Sequence, residues 1–182
     1  DPGLATKINA RFSDRIAVPY SRTVKCFPPH IRKKVIVTGN PVRSDILKGS
    51  AEKGRRLVGA SKDKRILLVM GGSQGARQIN ILIAEAKKDL TEHWYIIHQM
   101  GSMEFRRDEA AHYYAAPYFT WEYPHVLAAA DLVVTRSGAG ALWECAAMHK
   151  PMLLIPLTGS ATRGDQVKNA EIFRKAGAAQ VL

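Results

Sequence analysis

Three stretches of this chain carry small residues, hydroxyls and amides in patterns suited to holding a ligand, the first two an anion. Gly71-Gly72-Ser73-Gln74-Gly75-Ala76-Arg77 follows the apolar run Leu67-Leu68-Val69-Met70 and leads into a segment with helical spacing. Glycines let a backbone approach a ligand closely, and a helix starting there offers unpaired N–H groups at the positive end of its dipole. The Gly-Lys-Ser/Thr ending of a P-loop is missing and the spacing is not GxGxxG. By itself the stretch supports a phosphate cradle and a plain tight turn about equally. Arg136-Ser137-Gly138-Ala139-Gly140-Ala141-Leu142-Trp143-Glu144 repeats the arrangement. Ser137 is expected to cap the helix that follows. Glu144 shares a face with Gly140 and Ala141, where a carboxylate can accept from both hydroxyls of a ribose; the alternative is a surface glutamate. The polar run from Pro156 to Asn169, with Thr158, Ser160, Thr162, Arg163, Asp165, Gln166 and Asn169, suits several sugar hydroxyls or a soluble connection. Phe119-Thr120-Trp121-Glu122-Tyr123 offers aromatics to a base or to the core.

Other chemistries find little support. The six histidines show no HExxH or comparable spacing and no Asp-x-Asp occurs, so neither a metal site nor a cofactor is expected. There is no Gly-x-Ser-x-Gly elbow. Cys26 and Cys145 lack ligand spacing and read as buried, reduced thiols of a cytoplasmic protein.

The elements that must position these stretches are legible from the hydrophobic pattern. Short, non-alternating runs rich in Val, Ile and Leu predict strands buried on both faces: 65–70, 94–98, 116–119, 131–135 and 152–155, with shorter ones at 15–18, 35–37 and 179–182. Helices are predicted over 76–90, 103–111, 124–130, 139–148 and 165–175, the last closing at Gly177, and over 4–12 near the start. This alternation predicts an α/β fold with a doubly wound, Rossmann-like parallel sheet, in which ligands bind at the carboxyl ends of strands. Pro19, Pro28, Pro29 and the Gly39-Asn40-Pro41 turn set the first stretch apart. It reads as the tail of a preceding domain and a linker (1–38) before the main domain (39–182).

With 182 residues, 46% of them hydrophobic, the chain is long enough for one sizeable core. No run is long enough to span a bilayer and no signal peptide is visible; the start at Asp1-Pro2-Gly3 without Met reads as a removed natural terminus. The formal net charge of +11 suggests an anionic partner. Its basic clusters are not interleaved with aromatics, so nucleic acid is disfavoured, whereas an anionic membrane surface and a simply solvated face remain on equal terms.

Taken in order, Gly39-Asn40-Pro41-Val42-Arg43, the Gly71–Arg77 loop, Ala130-Asp131 leading to Arg136-Ser137-Gly138-Ala139, Glu144, and Gly164-Asp165-Gln166 with Asn169-Ala170 resemble the MurG family, the undecaprenyldiphospho-muramoylpentapeptide β-N-acetylglucosaminyltransferases of glycosyltransferase family 28. The resemblance covers nearly the whole chain. It implies the donor-binding half of a two-domain GT-B enzyme that transfers N-acetylglucosamine from UDP-GlcNAc to the muramoyl 4-hydroxyl of lipid I with inversion, at the cytoplasmic face of the inner membrane. By that analogy Gly72, Ser73 and Gln74 meet the diphosphate and Arg43 lies near it. Ala139, Gly140 and Ala141 present amides to the phosphates, and Glu144 holds the ribose. Phe119 and the backbone of Thr120 contact uracil beside Tyr123, and Asp165 and Gln166 bind the sugar.

The family's Gly-Gly-x-Gly-Gly-His loop, which carries the proposed base, is absent, so this piece is expected to bind donor without transferring sugar. The helices that finish the donor domain are expected beyond Leu182. Ala141 and Trp143 stand where relatives commonly carry Thr or Ser, His149-Lys150 where they commonly carry Gly, and Asp165 where some carry Gln. A GT-B transferase with another lipid acceptor, or a nucleotide-sugar-binding subunit completed by a partner chain, are the alternatives.

Overall fold

The computed structural model describes residues 2–72, 76–108, 110–158 and 164–182. The chain divides after Pro41 into two compact units. The first contains helix α1 (Leu4–Asn9), strand β1 (Ile16–Val18), short helices α2 (Ser21–Val24) and α3 (Pro29–Arg32), and strand β2 (Val35–Val37). β1 and β2 pair in parallel, and Ala10, Ile16, Val18, Phe27 and Ile31 form a small core. Cys26 is exposed here, contrary to the buried thiol expected; only Cys145 is buried.

The second unit is built on six parallel strands: β3 (Arg65–Met70), β4 (Trp94–Gln99), β5 (Tyr113–Ala116), β6 (Leu132–Thr135), β7 (Met152–Leu154) and β8 (Ala179–Val181), in the spatial order β5-β4-β3-β6-β7-β8. The helices are α4 (Ala51–Val58), α5 (Arg77–His93), α6 (Tyr123–Ala129), α7 (Ala139–Ala147) and α8 (Asp165–Lys175). From β3 the chain steps outward to β4 and β5, then returns past β3 and steps the other way through β6, β7 and β8. Right-handed crossovers taken in opposite directions put their helices on opposite faces. The packing agrees: Ile79 and Ile83 of α5 lie with Leu67 and Val69. Leu142 and Cys145 of α7, Val126 and Leu127 of α6, and Phe173 of α8 lie with Ile66 and Leu68. The sheet is doubly wound, and the strand order reverses between β3 and β6.

Two predicted elements are displaced. The strand expected at 116–119 runs from Tyr113 to Ala116, in register with Ile96 to Gln99 of β4. Beyond Ala116 the pairing turns irregular, the Met100 and Gly101 amides donating to the consecutive carbonyls of Ala116 and Pro117 at 2.9 and 3.0 Å. No described residue of the expected 103–111 helix is helical. That segment has no apolar face to bury, and Met103 is 87% exposed.

The helix α4 has no counterpart in the sequence reading. It is capped by the Ser50 hydroxyl, which accepts from the Lys53 amide at 3.3 Å, and ends at Gly59 with φ of 70°. It packs directly on α6, because Gly54 leaves room for that helix: a Cβ at Gly54 would stand 2.1 Å from the His125 carbonyl oxygen.

Candidate functional site

The reversal between β3 and β6 opens a crevice at the carboxyl ends of the strands, where open α/β sheets take ligands. Both glycine-bearing stretches end there. Gly71 and Gly72 leave β3, and Gly72 has φ of 89°, a left-handed value that favours glycine. Ser73, Gln74 and Gly75 lie outside the described residues. Arg136, Ser137 and Gly138 leave β6, and α7 begins at Ala139. Leu142 is the first residue of that helix to donate back, to Gly138 at 3.1 Å. The amides of Ala139, Gly140 and Ala141 are therefore at the open helix start, with no intrahelical acceptor. A Cβ at Gly72, Gly138 or Gly140 would meet nothing within 4 Å, so space lies in front of both strand ends.

The expected Ser137 cap is not made. The N-cap residue is Gly138, and the Ser137 hydroxyl is fully buried without a hydrogen-bond partner among the described residues. The Ser137 carbonyl instead accepts from the Asn169 side-chain Nδ2 of α8 at 3.2 Å, tying the start of α7 to the next helix.

Two adjoining cavities fill the crevice. The first, about 210 Å³, is lined by Arg43, Met70, Gly72, Gln99, Tyr118, Phe119, Tyr123, Thr135, Ala141 and Glu144. The second, about 560 Å³, shares Gly72, Thr135 and Ala141 with it and adds Arg77, Gln78, Arg136, Gly138, Leu157 and Gln166. Glu144 is one turn into α7 and largely shielded. Its Oε1 lies 3.5 Å from Arg43 Nε, and the Tyr123 hydroxyl stands beside it. The Arg43 guanidinium also stands over the Tyr123 ring, 5.8 Å from its centre. Burial, with the neighbouring Cys145 and Glu144, pushes the Tyr123 hydroxyl well above its ordinary pKa, so it remains a donor. Burial also pushes the Cys145 thiol up to about 12, which removes it as a nucleophile at neutral pH.

Of the residues singled out from sequence, Arg43, Gly72, Phe119, Tyr123, Ala141 and Glu144 line the first cavity and Gln166 the second. Phe119 both lines the cavity and belongs to the core, stacked on Tyr114 with 6.4 Å between ring centres. Thr120 is engaged locally: its amide and hydroxyl both donate to Glu122 Oε2 at 3.0 Å, and its carbonyl accepts from the Tyr123 amide at 3.3 Å. Gln166 accepts from the Leu157 amide at 2.9 Å. Asp165 opens α8 on the surface and lines neither cavity. Ser160, Thr162 and Arg163 lie outside the described residues. Trp143 packs edge-on against Phe173, joining α7 to α8, so its bulk serves packing.

Sequence reasoning missed Gln99 and Tyr118 and left Arg136 without a partner. Arg136 donates to the carbonyls of Ile155 and Pro156 and to Gln78 Oε1, drawing the β7 loop to the start of α5. The available signal for Gln99 was a polar residue closing the apolar run Trp94–His98 at the ligand-binding edge of the sheet. Among the described residues no three His, Cys, Asp or Glu side chains gather as a metal site, and no helix is long and apolar enough to cross a membrane.

The doubly wound sheet, with a shielded glutamate and an open helix start at its switch point, is the Rossmann-like fold of the GT-B glycosyltransferase type. Solved structures agree on that fold: a MurG from Acinetobacter baumannii superposes with a TM-score of 0.61 at 19% identity, over 98% of this chain and 64% of that one. The glycotransferase of kitacinnamycin gives 0.64 at 19% identity, over 94% of this chain and 42% of that one. The chain belongs to the glycosyltransferase family 28 C-terminal domain family, whose model matches residues 66–182.

The chain is 41% identical to the UDP-N-acetylglucosamine–N-acetylmuramyl-(pentapeptide) pyrophosphoryl-undecaprenol N-acetylglucosamine transferase of Treponema denticola, over all of this chain and 50% of that protein. It is also 41% identical to transferase 2 of that name from Bacillus cereus, over all of this chain and 51% of that protein. It thus spans about half the length of these curated relatives.

Proposed function

We propose that this chain is the donor-binding part of a transferase that moves N-acetylglucosamine from UDP-GlcNAc, with inversion, onto the muramoyl 4-hydroxyl of lipid I. In this reading residues 1–38 are the tail of the acceptor domain and the linker, and 39–182 are the donor domain. The observation that carries it is the convergence of Arg43, Tyr123 and Glu144 beside the open start of α7, in a chain whose relatives are named for this transfer.

The chemistry follows from the donor. Transfer breaks the bond between the sugar's anomeric carbon and the β-phosphate, and negative charge grows on the departing diphosphate. Fixed donors aimed at developing charge stabilise such a departure without reorganising. The amides of Ala139, Gly140 and Ala141, the Gly72-Ser73-Gln74 loop and the Arg43 guanidinium are assigned that task. Glu144 accepts from the ribose hydroxyls, while Arg43 keeps one carboxylate oxygen engaged and oriented. Phe119 and the Thr120 backbone take uracil; Gln166, with Asp165, takes sugar hydroxyls. The base for the acceptor hydroxyl and the lipid I site are assigned to the acceptor domain. No cofactor is invoked, and the whole protein is placed peripherally on the cytoplasmic, anionic membrane face.

Titration calorimetry of the 182-residue chain with UDP, UDP-GlcNAc and UDP-GalNAc tests the reading. UDP and UDP-GlcNAc should bind, and Glu144→Ala should weaken both at least tenfold, since hydrogen bonds to a charged group contribute about 1.5–3 kcal/mol. Unchanged UDP affinity in that variant would remove the ribose assignment. Lipid I turnover by this chain alone would overturn the division of labour.

A further inference from the structure

We propose that Gln99 is a positioning residue of the nucleotide site, setting the distance between the peptide that reads the base and the loop that holds the phosphates. The proposal rests on the nucleotide reading above and adds a residue to it. β4 lies between β3 and β5, and Gln99 is its last residue. The residue is 4% exposed, and its side chain reaches the loops of both neighbours. Nε2 donates to the Gly72 carbonyl at 3.2 Å, and Oε1 accepts from the Phe119 amide at 3.2 Å. All three residues line the first cavity. One primary amide therefore bridges the loop after β3 and the loop after β5, using one donor and one acceptor.

The bridge suits glutamine in particular. A carboxylate at 99 accepts from Phe119 but cannot donate to Gly72, and brings two acceptors together in a buried place. A protonated carboxyl donates and accepts like the amide. Glutamate at this position is thus a switchable version of the bridge, and burial raises the pH at which it takes up its proton. An apolar side chain of similar length keeps the volume and loses both bonds.

Calorimetry with UDP and CDP on the 182-residue chain tests the role. Gln99→Met should weaken UDP at least tenfold and draw the UDP-to-CDP preference toward one, because the base-reading peptide loses its anchor. Thermal unfolding should stay within a few degrees of the unsubstituted chain. Gln99→Glu should bind UDP weakly at pH 8 and recover toward the unsubstituted chain, compared at the same pH, by pH 5.5. UDP affinity unchanged in both variants, or UDP and CDP falling by one common factor with no recovery at low pH, overturns the proposal while leaving the donor site standing. An unsubstituted chain that binds no UDP overturns the nucleotide reading and the role of Gln99 with it. Should Gln99→Met unfold, the pH response of Gln99→Glu decides.

Discussion

Arg43 and Glu144, far apart in the chain, meet in the lining of the first cavity with 3.5 Å between Nε and Oε1, and the Arg43 guanidinium stands over the Tyr123 ring. A carboxylate held this way presents its remaining lone pairs in a defined direction. Tyr123→Phe removes only the hydroxyl beside that carboxylate, a loss of about 1 kcal/mol. UDP affinity should fall about fivefold, clearly less than for Glu144→Ala. Calorimetry on the two variants gives the order, and an equal loss in both would mean that Tyr123 contacts the ligand itself.

His98 predicts an acid response. It is buried between the Tyr113 hydroxyl, 2.7 Å from Nδ1, and Asn80 Oδ1, 3.0 Å from Nε2, and burial lowers its pKa to about 4. The unfolded chain, with an ordinary histidine near 6.5, then binds more protons between those values. Stability is full above about pH 6.5 and drains as pH falls toward 4, by about 3 kcal/mol from this group. Urea unfolding at pH 7 and pH 4.5 measures the difference, and His98→Gln should shrink it.

Gly54 should tolerate no side chain. The clash of a Cβ with the His125 carbonyl, and with the Ala129 methyl at 2.9 Å, forces α4 and α6 apart. Gly54→Ala should destabilise the chain by about 1–3 kcal/mol although alanine is the better helix former. A melting temperature that rises in this variant would contradict the packing described.

His149 offers the opposite change. It follows α7 with φ of 54°, a left-handed conformation that a side chain adopts at a cost of about 1 kcal/mol. His149→Gly should therefore raise the unfolding free energy by up to about 1 kcal/mol, measured by denaturant titration, without altering UDP binding.

Much of the fold is visible in one dimension because buried parallel strands and amphipathic helices leave a local signature. The helix predicted over 165–175 is the helix found, and the strand over 65–70 likewise. The displaced strand shows where local signal ends. Ala116-Pro117-Tyr118-Phe119 is as apolar as Tyr113–Ala116, and only pairing with β4 chooses between them. α4 escaped because it is short, half of its residues are charged, and its one requirement, Gly54, concerns another helix.

The sequence by itself determined the chemistry available: two glycine-bearing strand ends, a glutamate at the right depth in α7, and the order of motifs that marks the family. Those are local features, readable from residue type and spacing. Tertiary structure alone decided what stands next to what. It joined Arg43 and Tyr123 to Glu144, turned Gln99 into a bridge between two loops, left Ser137 uncapping and buried, and sent Trp143 into the contact between α7 and α8. Each of these depends on strand order and helix packing, which set distances between residues remote in the chain and leave no periodic trace in it.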